Sequence, residues 1–159
     1  MKENFEKLPL RNGVGVIILN SQNKVFVARR IDNPKNYWQM PQGGVENGED
    51  YYKAALRELK EETNIKSISL IKEIEGFISY NLPNNLLGII WKGKYKGQKQ
   101  KWFIVKFTGK DSEINVNTKK PEFIDWRWVD LETITDTVVD FKLKVYEKLV
   151  LEVKKVIPN

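Results

Sequence analysis

The segment from Glu49 to Thr63 constrains the fold of this chain most, because it predicts a helix whose sides differ in chemistry. Such a helix has about four turns. At about 100° per residue, Glu58, Glu61 and Glu62 share one face. A second face, about 130° away, is apolar and is formed by Tyr52, Leu56 and Leu59. We therefore expect one side of the helix to pack on a sheet while another side carries three carboxylates.

Three glutamates within one helical turn repel one another. A divalent cation relieves that repulsion, and Mg²⁺ prefers hard oxygen ligands together with substrate phosphates. Ala54 and Ala55 lie near the carboxylate side, where small side chains would leave room for a ligand. The alternative is a solvated acidic face with Lys60 nearby, which is the commoner meaning of a bare Glu-x-x-Glu-Glu pattern because helix surfaces are often charged.

The rest of the chain predicts strands around this helix and a second helix at the end. Turn-forming residues between two apolar runs predict a β-hairpin. The predicted strands are Val14 to Leu19, Lys24 to Arg29, Tyr37 to Met40, Ile68 to Tyr80, Leu86 to Trp91, Lys101 to Thr108 and Phe123 to Val129. An amphipathic helix is predicted from Val138 to Val156, with Lys142 off its apolar stripe. This pattern favours an α/β fold, a mixed sheet with helices on its faces.

Composition narrows both the architecture and the chemistry. At 159 residues the chain fits one domain, 1–159, better than two. It contains no cysteine and no histidine, which excludes thiolate nucleophiles, Ser-His-Asp triads and zinc sites built from those residues. No apolar run approaches the roughly 20 residues of a membrane span. Residues 1–10 lack the apolar core of a signal peptide, so we expect a cytoplasmic protein without a membrane partner.

The positive charge is concentrated in one window. The net charge is +6, and the window from Gly76 to Lys110 has seven lysines and no acidic residue, so it alone carries +7 and the remainder −1. Such an excess suggests a polyanionic partner. A lysine-rich hairpin that is simply solvated explains it equally well.

The spacing around the glutamates resembles the signature of the Nudix hydrolase family. Gly43 is followed six residues later by Glu49, and then come Arg57-Glu58-Leu59, Glu61-Glu62 and Ile65. Asn64 stands where the family has glycine. That position ends the helix in a left-handed conformation, which Asn tolerates better than most residues. The resemblance implies an α/β/α sandwich around a mixed sheet.

The resemblance also implies roles for the residues of the signature. Glu58, Glu61 and Glu62 match the metal-binding glutamates, with Mg²⁺ as the expected ion and Mn²⁺ or another divalent cation as a substitute. Arg57 matches the arginine that braces the loop before the helix, by pairing with Glu49. Gly43 and Gly44 match the tight loop itself, where a side chain would obstruct the turn and the substrate. The expected reaction is cleavage of a pyrophosphate linkage, with a carboxylate taking a proton from water. Glu62 is one candidate for that base, and the sequence leaves the choice open.

Segments outside the signature resemble the bacterial RNA pyrophosphohydrolases and the related dinucleoside polyphosphate hydrolases. The matching segments are Trp38 to Gly44, Ile90-Trp91, Gly97 to Phe103, Pro121 to Phe123, Trp126 to Val129 and Val138 to Lys142. The implied reaction converts the 5′-triphosphate or 5′-diphosphate end of RNA to a monophosphate and starts mRNA decay. The alternative is asymmetric hydrolysis of diadenosine tetra- or pentaphosphate. A catalytically silent binding module is disfavoured, because the three glutamates of the signature are all present.

This second resemblance assigns contacts beyond the glutamate helix. Glu122 matches a further metal ligand. Side chains expected to contact phosphate or base are Arg11, Arg30, Lys99 and Lys101, since charge-assisted bonds suit a triphosphate. The resemblance also implies a small pocket, which holds a base near the RNA 5′ end, at Val139, Phe141 and Lys142. Phe141 would otherwise be a core residue, and Tyr80 and Trp91 are expected either to stack on a base or to pack in the sheet.

Overall fold

A computed structural model describes residues 5–32 and 35–157. Eight strands form one sheet: β1 (Leu10–Leu19), β2 (Val25–Arg30), β3 (Trp38–Gln39), β4 (Gln42–Gly44), β5 (Ile68–Glu73), β6 (Ile78–Asn81), β7 (Gly97–Phe107) and β8 (Phe123–Val129). The helices are α1 (Tyr51–Thr63), α2 (Ile134–Thr137) and α3 (Leu143–Lys154). Short 3₁₀ segments lie at Ile90–Gly93, Asp111–Glu113, Leu131–Thr133 and Asp140–Lys142. Within the described ranges no helix has the length and apolar character to cross a bilayer.

The sheet is mixed, as predicted. Its main path runs β3-β2-β1-β7-β5, and β1 pairs with β7 in parallel while the other pairings are antiparallel. The predicted hairpin of β1 and β2 is confirmed, with Leu19 opposite Val25. Its turn is closed by Asn20, whose side-chain oxygen accepts bonds from the backbone N–H groups of Gln22 and Lys24 at 2.9 and 3.0 Å.

Helices pack on both faces of the sheet, which confirms the predicted sandwich. On one face, Ala54, Ala55 and Leu59 of α1 join a buried cluster with Phe103 and Val105 of β7. The expectation that the two alanines leave room for a ligand was therefore wrong. They are at most 1% exposed, and their small size lets the helix approach the sheet.

The opposite face carries α3. Buried Tyr146 and Leu149 pack in one cluster with Trp102 and Ile104 of β7. The Tyr146 hydroxyl oxygen accepts a bond from the backbone N–H of Met40 at 2.8 Å, which ties α3 to the segment before β4. This buried bond satisfies a backbone donor where β3 has ended.

Helix α1 begins two residues later than predicted and ends where predicted. The Asp50 carboxylate accepts a bond from the backbone N–H of Lys53 at 3.0 Å, so Asp50 is the N-cap and lies outside the helix. At the other end, Asn64 has φ +63° and its N–H bonds to the carbonyl oxygen of Lys60. The left-handed residue predicted in place of glycine is confirmed.

Two strand predictions were wrong. The segment Ile68 to Tyr80 breaks into β5 and β6 at a bend that contains Gly76, φ +73°. Leu86 to Trp91 is not a strand. It lies in a turn-rich segment, residues 83–96, which we call the β6–β7 segment. The backbone N–H groups of Leu86 and Leu87 bond back to Pro83, so they are used locally instead of in a ladder.

The closing helix is shorter than predicted. It starts at Leu143, after the extended residue Val139 and the 3₁₀ turn Asp140–Lys142. Because this turn changes the direction of the chain, Lys142 does not continue the polar face of α3. The expectation that it lies off the buried stripe was wrong, since only 7% of it is exposed.

Candidate active site

Two neighbouring cavities lie where β1, β4 and α1 meet. The large cavity, about 780 Å³, extends from Glu58 and Glu62 towards Tyr80, Phe141 and Lys142. The small cavity, about 570 Å³, lies beside the loop of residues 45–49. Arg11, Gly44 and Glu58 line both cavities, so they stand at the boundary between them.

Arg57 ties the loop before α1 to the helix itself. Its guanidinium donates two bonds of 2.9 Å to the carboxylate of Glu49 and one of 3.0 Å to the carbonyl oxygen of Gly44. It also donates to Glu58 at 3.0 Å and to Glu61 at 3.4 Å. The bonds from Arg57 lower the pKa of Glu49 to about 2. The predicted brace between Arg57 and Glu49 is therefore present.

β4 packs so closely against side chains of α1 and β1 that its two glycines could gain a Cβ atom only if those side chains moved. A Cβ atom on Gly43 would overlap the carboxyl group of Glu58, and one on Gly44 would overlap the guanidinium of Arg11. The Glu58 carboxyl is therefore directed at the loop backbone. Burial raises its pKa, although the nearby Arg57 acts to lower it.

Glu62 is the most deeply buried acid of the site. The residue is 4% exposed, and its Oε2 atom has no hydrogen-bond partner among the described residues. Burial, followed by the neighbouring charges of Glu122 and Glu58, raises its pKa well above the ordinary value. A buried carboxylate oxygen without a partner is costly, and a bound cation is one way to satisfy it.

The glutamates form two groups and not the single cluster that the sequence predicts. Glu58 and Glu61 both accept bonds from Arg57, and 60% of the Glu61 side chain is exposed. Glu62 has no bond to Arg57, and the charges nearest to it are those of Glu122, in the segment before β8, and of Glu58. Within residues 5–32 and 35–157, no three acidic side chains are gathered closely enough to hold a metal ion. The chemistry of the donors nevertheless fits Mg²⁺, since the site offers carboxylate oxygens, one of them buried and unpaired.

The far end of the large cavity is aromatic and basic. The rings of Tyr80 and Phe141 are 5.7 Å apart, and Lys142 Nζ lies 5.6 Å from the first and 5.9 Å from the second. Val139 lines the same end. Burial and the charge of Arg30 lower the pKa of Lys142 to about 7. The three residues predicted for a base pocket are thus together in space.

The large cavity is lined by Arg11 and Arg30, the two arginines that are predicted to contact phosphate or base, and their partners differ. Arg30 donates two 2.9 Å bonds to Asp32 and lies 3.9 Å from Glu122. Asp32 was missed at the sequence level, although its position two residues after Arg30 at a strand end is a signal for such a pair. The Arg11 guanidinium instead lies over the ring of Trp91, 5.1 Å from its centroid.

Lys99 and Lys101 lie apart from this arrangement. Their ammonium groups are 5.0 and 5.6 Å from the ring centroid of Phe77, and Lys101 pairs with Glu73 at 3.4 Å. Neither side chain lines either cavity. Strand alternation explains the separation, because Gln98, Gln100 and Trp102 face the opposite side of the sheet.

Comparison with known proteins gives consistent results. The model of the NUDIX domain matches residues 9–149. The chain is 65% identical over 157 residues to an RNA pyrophosphohydrolase of Pelagibacter ubique, covering 99% of both chains. It is 49% identical over 145 residues to one of Rhodospirillum rubrum, covering 91% of this chain and 87% of the relative.

Solved structures show the same fold at low sequence identity. The E. coli dihydroneopterin triphosphate pyrophosphohydrolase has a TM-score of 0.71 at 23% identity, covering 92% of this chain and 99% of the other. An Ap4A hydrolase of C. elegans has a TM-score of 0.63 at 19% identity, covering 90% and 98%.

Proposed function

Because the chain belongs to the Nudix hydrolase family, we propose that it is an RNA 5′-pyrophosphohydrolase. It would convert a 5′-triphosphate or 5′-diphosphate end to a 5′-monophosphate, using Mg²⁺ or another divalent cation such as Mn²⁺. Two relatives of 65% and 49% identity carry the name RNA pyrophosphohydrolase. Their high coverage supports transfer of that activity to this chain. RNA 5′-triphosphate ends arise where RNA is made, so we also propose that the protein acts in the cytoplasm.

One observation carries this proposal: a single cavity joins an acidic end to an aromatic and basic end. Glu58, Glu62 and Glu122 line one end, while Tyr80 and Phe141 line the other. A phosphate chain suits the first end when a divalent cation is present, and a base suits the second because aromatic rings stack on any base. The 5′ terminus of RNA has both parts in this order.

The metal would be held by carboxylates from α1 and from the segment before β8. The proposed ligands are Glu58, Glu61, Glu62 and Glu122. When bound, Mg²⁺ would neutralise phosphate charge and lower the pKa of the water that attacks phosphorus. For Glu58 and Glu61 to serve, their side chains must exchange bonds with Arg57 for bonds to the cation.

The chain's own residues would orient the phosphates and accept the proton. Arg11 and Arg30 line the cavity and would bond to phosphate oxygens, since guanidinium groups match phosphate geometry. The raised pKa of Glu62 suits a group that takes a proton from the attacking water. Gly43 and Gly44 let the phosphate chain approach the backbone, while Lys142 and Val139 would contact the first bases.

Dinucleoside polyphosphate hydrolysis is the second candidate. The small cavity supports it, because it continues past Arg11 on the side away from Tyr80 and is lined by Tyr51 and Tyr95. A second nucleoside would have space there. Such a substrate needs room at both ends of the phosphate chain, whereas a 5′-triphosphate RNA needs it at one end.

Parallel kinetics on the two substrates test the proposal. We would measure kcat/KM with 5′-triphosphate RNA oligomers that carry one unpaired 5′ nucleotide, varied in turn, and with diadenosine tetra- and pentaphosphate. We expect RNA to be cleaved to a 5′-monophosphate with a higher kcat/KM than the dinucleotides. Turnover of dinucleotides alone would overturn the RNA assignment. No turnover of any substrate would indicate a binding module, and oxidised dGTP serves as a control for nucleotide-pool cleaning.

A further inference from the structure

The β6–β7 segment holds a large aromatic residue in a backbone conformation that such residues rarely adopt. Trp91 has φ +52° and ψ +36°, and Lys92 next to it has φ +58° and ψ +24°. Left-handed conformations are uncommon for residues other than glycine, and a bulky side chain there is an outlier. Strain of this kind persists only where the surroundings impose it, and it often occurs at functional sites.

The loop around these two residues is built to maintain that conformation. Gly88 and Gly93 flank the pair with φ +78° and +71°, values that only glycine adopts readily. A Cβ atom on Gly93 would lie 2.9 Å from the carbonyl oxygen of Gly88, so the two ends of the loop are in close contact. The turn therefore determines the direction in which the indole of Trp91 leaves the backbone.

That direction places the indole against Arg11. The guanidinium carbon of Arg11 is 5.1 Å from the ring centroid, and Tyr95 packs edge-on against the same ring at 6.2 Å. Trp is the best aromatic partner for a cation, and the contact strengthens as it loses water. Trp91 also lines the large cavity, so one side of the contact faces the proposed substrate site.

Arg11 has no other anchor among the described residues. Neither a carboxylate nor a carbonyl oxygen bonds to its guanidinium in residues 5–32 and 35–157, in contrast to Arg30 and Arg57. Its position beside Gly44 places it at the boundary of both cavities, next to Glu58. Without the indole, a long and flexible side chain would be free to move away from that boundary.

We infer that Trp91 is a positioning residue: it stacks on Arg11 and holds the guanidinium beside Gly44, where a substrate phosphate can accept its bonds. This inference rests on the proposed function, which makes Arg11 a phosphate contact. It gives the strained turn a function. The strain at residues 91 and 92 costs stability, and the turn in return holds the Arg11 guanidinium in position before the substrate binds. No acidic partner among the described residues competes with the substrate for this guanidinium.

The substitution Trp91→Asn tests this directly. Asn tolerates the left-handed conformation, so the variant keeps the turn and loses only the ring. We expect it to remain folded, and its kcat/KM for 5′-triphosphate RNA to fall about tenfold through a higher KM. Trp91→Phe keeps an aromatic face and should recover most of the loss. Ile89→Asn, at a residue of the same β6–β7 segment that is 68% exposed, is the matched control and should change little.

A double-mutant cycle with Arg11→Ala makes the test specific. If Trp91 acts through Arg11, adding Trp91→Asn to Arg11→Ala should cause no further loss. Independent effects that multiply would overturn the inference, as would wild-type KM in Trp91→Asn. If the wild-type enzyme cleaves no RNA, the proposed function fails instead. The inference is then tested by the same cycle on dinucleoside polyphosphates, where additive effects would refute it.

Discussion

Two groups of carboxylates adjoin α1, and their surroundings differ. The braced group, Glu49, Glu58 and Glu61, shares the guanidinium of Arg57. In the inner pair, Glu62 and Glu122, Glu62 is buried and its Oε2 atom has no hydrogen-bond partner among the described residues, while the half-exposed Glu122 lies 3.9 Å from Arg30. A charge with a permanent partner stabilises the fold, whereas a buried charge without one costs stability until a ligand arrives. Glu58 and Glu61 must therefore exchange bonds to Arg57 for bonds to a cation, whereas the Oε2 atom of Glu62 has no bond to exchange among the described residues.

The largest effect on activity is expected from the proposed metal ligands, and within the inner pair from Glu62→Gln. It removes a proposed ligand and base, so kcat/KM should fall by more than about 100-fold. The metal-free protein should nevertheless be at least as stable as wild type at neutral pH, because the unpartnered buried carboxyl is replaced by a neutral amide. Activity assays and thermal unfolding in the presence of a chelator measure both quantities.

Glu49→Gln is the matched variant from the braced group. It should lower the melting temperature through the lost bonds to Arg57, since the pKa of Glu49 is lowered by those bonds. If Glu62→Gln destabilises the metal-free protein more than Glu49→Gln does, the division into two groups is wrong.

A smaller effect is expected from Arg57→Gln, which should lower the stability of the fold. The variant loses the link between the Gly44 carbonyl, Glu49 and α1, and leaves three carboxylates close together. Partial exposure screens these charges, so we expect a loss of about 1–2 kcal/mol and a melting temperature lower by about 2–8 °C. Lys60→Gln, an exposed change on the same helix, is the control. Equal melting temperatures for the two variants would show that Arg57 is no brace.

Lys142 is expected to affect stability in a way that depends on pH. Burial lowers the pKa of this lysine from 10.5 to about 7, so the folded state favours its neutral form. Its unfavourable contribution is absent above about pH 10.5, grows as pH falls, and is complete below about pH 7. Lys142→Met should therefore gain stability over wild type, by a few kcal/mol at most, with the gain shrinking as pH rises from about 7 to 10.

Urea unfolding of both proteins across this pH range measures the difference. Lys144→Met is the control, because that lysine is exposed on the following turn. A difference that does not change with pH would mean that Lys142 is charged in the folded protein at neutral pH.

The sequence predicts the braced group better than the inner pair. Arg57, Glu49 and Asn64 act within one short helix and its preceding loop, so local spacing and capping rules describe them. The burial of Glu62 and its approach to Glu122 depend on how α1 lies on the sheet relative to a segment about 60 residues later. Helical projection alone gives three equivalent carboxylates, and only packing makes them unequal.

Two of the wrong predictions have a cause in common. The apolar residues Leu86 to Trp91 predict a strand, yet Gly88 and Gly93 turn the chain back before it can pair. Lys142 follows a helical period in the sequence, yet the 3₁₀ turn before α3 rotates it into the interior. Both depend on a change of backbone direction within a few residues, which a periodic pattern does not reveal.

The most direct test of the central claim is the Mg²⁺ dependence of RNA turnover in wild type and in Glu61→Gln. Glu61 is exposed, so its substitution leaves the core unchanged. The wild-type protein, stripped of metal, should release a 5′-monophosphate from 5′-triphosphate RNA only when Mg²⁺ is restored. Glu61→Gln should fold normally, and its turnover should be abolished at every Mg²⁺ concentration. Wild-type turnover by Glu61→Gln, or turnover without a divalent ion, would contradict the assignment of these glutamates as a metal site.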